Sequence, residues 1–173
     1  MDALTDLTAL HDAQVAIIKA AMPMLQTVEE YKPLQRDSVI TPALLLEAGE
    51  FKPGRRTGDG RTPLKIEFAA HCYLSVRTPN AELEIRNFAA KVCQLLDGQR
   101  WGMGDALERP EQIAAFPGAF KPDDKGFECW VVTWEQTAHL GELWQEADFL
   151  PQEAFFNEAP DIGLVHQDDY QVL

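Results

Sequence analysis

Leu64-Lys65-Ile66-Glu67-Phe68-Ala69-Ala70-His71-Cys72-Tyr73-Leu74-Ser75-Val76-Arg77 decides the fold. Over seven consecutive steps an apolar side chain alternates with a mostly polar one. That is the period of a β-strand with one buried face. Leu64, Ile66, Phe68, Ala70, Cys72, Leu74 and Val76 are expected in the core, and their neighbours on a second, wetter face. At ~3.3 Å per residue the run spans roughly 40 Å. Most strands are about 5–6 residues long, so this one is expected to bend or to project as part of a ribbon.

Thr78-Pro79-Asn80 follows and reads as a helix start, with Thr78 as cap and Pro79 at the first helical position. Ile85, Phe88, Ala89, Val92, Leu95 and Leu96 form its buried stripe, and Gly98 is its stop. Residues 48–63 come before the long strand. Gly49, Gly54, Gly58, Gly60, Pro53 and Pro63 make them a long loop. Lys52, Arg55, Arg56 and Arg61 outnumber Glu50 and Asp59 there, giving a basic island in an acidic chain. Loops beyond ~12–15 residues in compact domains tend to be functional or disordered. These four cations are therefore candidate interface residues, although an exposed charged loop is often merely solvated.

Further out, Leu4, Leu7, Leu10, Val15, Ile18 and Met22 lie at helical spacing, and Pro23 ends that helix. A short strand is expected near Val28–Tyr31 and another over Thr41–Glu47. Residues 99–125 read as irregular, with a short strand near Gln112–Phe116. Phe127–Gln136 is a strand with large side chains on both faces: Phe127, Cys129 and Val131 on one, Trp130, Val132 and Trp134 on the other. It is either central or meets a partner with its second face, so Trp130 and Trp134 join the candidate interface residues. The sum is an α+β fold: a mostly antiparallel or mixed sheet, two main helices on one face, a long basic hairpin loop and a C-terminal extension. The core is placed at residues 1–137. Residues 138–173 form an acidic extension that packs on the core or on a neighbouring subunit.

The chain has 173 residues, enough for one domain with a substantial core. Its net charge is −13, and the last 48 residues contribute −10 of it with no Lys or Arg. Such a balance opposes sequence-specific nucleic-acid binding, which rests on clustered cations. Three widely spaced cysteines, Cys72, Cys93 and Cys129, are no disulfide framework and point to a reducing compartment. No basic-then-apolar leader opens the chain, and no apolar run reaches the ~18–20 residues of a membrane span. A cytoplasmic protein without a membrane partner is expected.

Chemistry-bearing patterns are few. His11, His71, His139 and His166 are dispersed, and no cysteine pair has metal-ligand spacing, so no metal site is expected. Gly58-Asp59-Gly60 and Gly102-Met103-Gly104 lack the context of a phosphate loop and read as turns. Ser38 and Ser75 are the only serines, and neither lies in a nucleophile elbow. Asp123 followed by Glu128-Cys129-Trp130 has the outline of a nuclease acid set, but Trp130 stands where a lysine is needed. No catalytic residue and no cofactor is expected.

The order of elements carries a resemblance. An N-terminal helix, a short strand, Thr41-Pro42-Ala43-Leu44-Leu45-Leu46-Glu47, a long loop and a long alternating strand come first. A helix ending Cys93-Gln94-Leu95-Leu96 and a strand ending Trp134-Glu135-Gln136 follow. This resembles the tail terminator proteins of long-tailed bacteriophages, most of all their Mu-like prophage branch, over roughly residues 4–137. The acidic extension departs from the compact family core, and no role carries over to it. The resemblance implies a non-enzymatic virion protein: a homo-oligomeric ring, typically a hexamer, that caps the tail tube and stops its polymerisation. It implies three partners, namely further copies of itself, the tail tube protein and the head-completion or connector protein. DNA would pass through the ring without sequence-specific binding. The location implied is the head-proximal end of the tail, and the host cytoplasm before assembly. Two other readings stand beside it: a head–tail connector or minor tail protein of the same assembly, and a small enzyme or nucleic-acid factor with an unrecognised site.

Overall fold

A computed structural model describes residues 3–31, 39–118 and 126–144, together with the backbone of 155–156 and 171–172. Residues Met1–Leu143 form one compact unit and Trp144–Leu173 a second. The first is an α+β domain. Its elements are α1 (Leu7–Ala21), β1 (Thr27–Glu30), β2 (Ala43–Pro53), β3 (Thr62–Ser75), α2 (Ala81–Leu96), β4 (Glu111–Pro117) and β5 (Phe127–Leu140). The strands form one sheet in the order β1-β2-β3-β5-β4. β1 runs parallel to β2, and every other neighbouring pair is antiparallel. In the second unit, β6 (Phe155–Phe156) pairs antiparallel with β7 (Gln171–Val172).

α1 begins where Asp6 accepts from the backbone N–H groups of Thr8 and Ala9, at 2.8 and 3.1 Å, satisfying donors that the helix leaves unpaired. It ends at Met22, just before Pro23. Leu10, Gln14 and Ile18, each a turn apart, face the sheet. α2 starts differently from the sequence expectation. Thr78-Pro79 lie in the preceding turn, and the helix opens on Asn80, which adopts φ 54° and makes no side-chain cap bond. Asparagine tolerates that left-handed conformation better than most residues. Glu82 and Glu84 in the first turn suit the helix dipole. Ile85, Phe88, Ala89, Val92 and Leu96 are buried, as the stripe requires.

β3 holds the domain together. β5 pairs with it over the whole length, from Thr62↔Leu140 to Ser75↔Phe127. The long strand is thus part of a continuous three-strand ribbon with β2 and β5. Ile66, Phe68, Ala70, Cys72 and Leu74 are buried beneath the helices. The alternation stops one step early: β3 ends at Ser75, and Val76 is exposed.

The largest departure concerns residues 48–63. β2 continues through Gly49 to Pro53, paired with β3 as far as Pro53↔Leu64, and an irregularity between Ala48 and Phe51 absorbs the misfit. The loop proper is residues 54–61. A glycine or proline ends a strand when it stands alone. Here β3 offers a complete row of backbone partners, and a bulge costs less than leaving them unpaired. Gly54 is required at the junction, because a Cβ there would come within 2.9 Å of Pro63 and 3.0 Å of Thr137.

β5 is central, between β3 and β4, which accounts for its two apolar faces. It continues to Leu140, so the core extends past the expected boundary at residue 137. The packing of the acidic extension lies outside the described residues.

The free cysteines differ in access. Cys72 is fully buried and its thiol is pushed far up by desolvation; Cys93 is half-buried and raised for the same reason. Cys129 is buried on the central strand β5, opposite Tyr73. A thiol reacts as its thiolate. Native protein should therefore label slowly, at Cys93 first, whereas all three cysteines label after unfolding. Mass mapping of the alkylated peptides checks this; rapid native labelling at Cys72 would contradict the packing.

Candidate functional site

The register places two sets of side chains on opposite faces of the sheet. The helix-covered face holds Leu44, Leu46, Ile66, Phe68, Ala70, Cys72, Val132 and Trp134, with Leu44 opposite Cys72, Leu46 opposite Ala70, Ala70 opposite Val132 and Phe68 opposite Trp134. The other face carries a lattice of charge. Lys52 Nζ lies 3.0 Å from Glu50 and 2.7 Å from Glu67. Lys65 Nζ lies 2.5 Å from Glu135 and 3.6 Å from Glu111. His71 Nε2 lies 2.7 Å from Glu47, and its ring stacks on Tyr31 with centroids 4.3 Å apart. The carboxylates beside Lys52 and Lys65 hold both ammonium groups above their usual pKa.

Between these pairs lies an open groove of about 410 Å³. Its walls include Glu47, Glu67, Gln112, Phe116 and Glu135, and Ala69 and Thr133 lie side by side on this face. Gln112 is turned into it by the irregularity in β4, where it adopts φ 52°, and its amide donates to Glu135 at 3.0 Å. Phe116 stands half exposed at its rim. A smaller hollow of about 320 Å³ lies between α1 and β2, against Leu10, His11, Leu46 and Phe68.

The hairpin residues expected to meet a partner divide into two groups. Lys52 is engaged with its own chain as described. Arg61 is too: it grips Asp59 through Nε at 3.0 Å and a terminal nitrogen at 2.6 Å, and donates to the Asp105 carbonyl at 3.2 Å. Its guanidinium holds the Asp59 carboxyl well below the usual carboxylate range. Arg61 thus shapes the hairpin and is largely taken up by it. Arg55 and Arg56 alone of the four are exposed at the tip.

The tryptophans correct the sequence expectation. Trp134 is 1% exposed, stacked on Phe68 and close to Trp101. It belongs to the chain's own core and presents no surface to a partner. Trp130 is partly buried against the same core. A period-two reading shows that Trp130 and Trp134 share a face; only the register shows that this face lies under the helices.

Among the described residues no three His, Cys, Asp or Glu side chains gather to hold a metal ion. The glycines of both close pairs, Gly58 with Gly60 and Gly102 with Gly104, have positive φ, as turns require. His166 and Asp123 lie outside the described residues. No described helix is long and apolar enough to cross a membrane. No protein-family model matches the chain, and no curated protein matches its sequence.

Proposed function

We propose that the chain is a structural subunit of a phage tail, a tail terminator that caps the tail tube as a homo-oligomeric ring, typically a hexamer. The observation that carries the reading is the exposed pair Arg55–Arg56 on a projecting hairpin, in a domain whose charged sheet face stands open beside it. Exposed arginines suit carboxylate contacts between acidic subunits. The order of helices and strands agrees with the resemblance described above. In this reading the ring stops tube polymerisation and offers a docking surface to head-completion or connector proteins. DNA passes through without base-specific contact, and no cofactor or catalytic step is involved. The site of action is the head-proximal end of the tail.

Binding to purified tail tubes, viewed by negative stain, tests the reading directly: rings should cap one end of each tube. Protein that stays monomeric and ignores tubes would overturn it. The tip arginines make a sharper test. Arg55→Ser with Arg56→Ser should leave stability within about 0.5 kcal/mol of wild type, since neither residue is packed, yet weaken ring formation. Added salt should weaken wild-type assembly in the same direction. Arg61→Ser should instead lower the melting temperature, because it releases Asp59 and the Asp105 carbonyl. A melting temperature unchanged by Arg61→Ser would contradict its structural role.

A further inference from the structure

The groove on the sheet face away from α1 and α2 is lined by carboxylates, and the hairpin tip carries exposed arginines. Around the groove stand Glu47, Glu50, Glu67, Glu111 and Glu135, five carboxylates against Lys52 and Lys65. The local surplus is therefore three negative charges, His71 apart. Among the described residues the groove's own walls include no basic one. The tip at residues 54–61 is narrow and carries two adjacent exposed arginines. Among the described residues the other exposed cations, Lys19, Lys52, Arg77, Arg86, Lys91, Arg100 and Arg109, stand singly in the sequence, and the tip alone sets two side by side.

Within one molecule the tip and the middle of the groove are set apart along the ribbon. Gly54 bonds to Pro63 at the end of the ribbon, and Ala69 in the groove lies six residues further along β3, roughly 20 Å away at ~3.3 Å per residue. An arginine side chain is far shorter than that.

We propose that the groove between β2, β3, β5 and β4 receives the Arg55–Arg56 hairpin tip of a second copy of this chain. This rests on the assembly reading above and names the surface that the tip meets. Tip and groove are different surfaces, so the contact is heterologous. Repeated around an axis, such a contact gives a ring where its rotation closes and a filament where it does not; the assembly reading above requires closure. Like charges set against each other suppress wrong pairings, and complementary ones fix the register.

Charge reversal on each side, and on both at once, tests the contact. The tip variant is Arg55→Glu with Arg56→Glu. The groove variant is Glu47→Lys with Glu111→Lys, which leaves the Lys52–Glu67 and Lys65–Glu135 pairs in place. Sedimentation over a range of concentrations reads self-association, and thermal melting confirms that each chain folds. Each reversal alone should raise the concentration needed for assembly by about ten-fold or more, and the chain carrying both should recover it. Thr133→Trp, which fills the groove without altering charge, should block assembly even in chains with wild-type tips. If the combined chain is as weak as either reversal, or if reversal leaves a self-associating protein unaffected, the groove does not receive the tip, although the assembly reading survives. If groove variants lose only tube binding, the groove takes the tube and this proposal falls. A wild type that neither self-associates nor caps tubes overturns the assembly reading itself.

Discussion

Replacing Gln136 with leucine should destabilise the protein by about 4–6 kcal/mol, estimated from the cost of unpaired buried polar groups. Gln136 is 1% exposed on the core face of β5. Its Oε1 accepts from Trp101 Nε1 at 3.0 Å and from Trp134 Nε1 at 3.3 Å. Its Nε2 donates to the Gln99 carbonyl at 2.9 Å and to the Glu108 carbonyl at 2.7 Å. All four hydrogen-bonding positions of the amide are thereby used. Leucine has nearly the same size but strands two buried indole N–H groups and leaves two part-buried carbonyls without their donor. Each such group costs about 1–3 kcal/mol, and partial relaxation recovers some of it. A small domain is stable by only about 5–15 kcal/mol, so the variant should be close to unfolding. Urea denaturation would show a lower midpoint at an unchanged slope. A loss below about 1 kcal/mol would mean that the amide does not organise this part of the core.

The same network shows where sequence reading stops. Gln136 and Trp101 are far apart in the chain, and Trp101 follows a helix stop in a stretch with no periodicity. Local pattern therefore gives no reason to bury it. Gln14 is a parallel case, a polar residue on an apolar helical stripe that is 2% exposed. What could be read was periodic. The stripes of α1 and α2 and the alternation of β3 each follow from one repeating spacing, and each stands in the structure. The extent of β2 could not be read, because Gly49 and Pro53 argue locally for a loop. The pairing that overrules them is supplied by β3.

The candidate site divides along the same line. A basic island at residues 52–61 is visible as composition, but its internal pairing is not. Lys52 and Arg61 are committed to Glu67 and Asp59, and Arg55 and Arg56 stand exposed at the tip. The groove leaves no mark on the sequence at all. Glu47, Glu67 and Glu135 belong to three strands and become neighbours only through register: Glu67 sits directly opposite Glu135, and Glu47 opposite Ala69.

That register yields the second large effect. Phe68→Asp should abolish folding, while Ala69→Asp, one residue along, should be tolerated. Phe68 is 5% exposed and stacks on Trp134, its cross-strand partner, with centroids 5.3 Å apart at 18°. Losing a buried phenylalanine costs about 3–5 kcal/mol. Burying an unpaired carboxylate adds several kcal/mol or forces it to take up a proton. The sum rivals the stability of the domain. Phe88→Asp on α2 attacks the same core from the helix side and should have the same outcome, since Phe88 is 7% exposed. Ala69 faces the open groove, where a carboxylate stays hydrated. Its cost there is repulsion from Glu67 and Glu135, which water and salt screen. A one-residue change of register exchanges the two faces completely, so the pair of variants reports the register and not merely a general sensitivity of β3. Soluble, cooperatively melting Phe68→Asp protein beside unfolded Ala69→Asp protein would show that the faces are inverted.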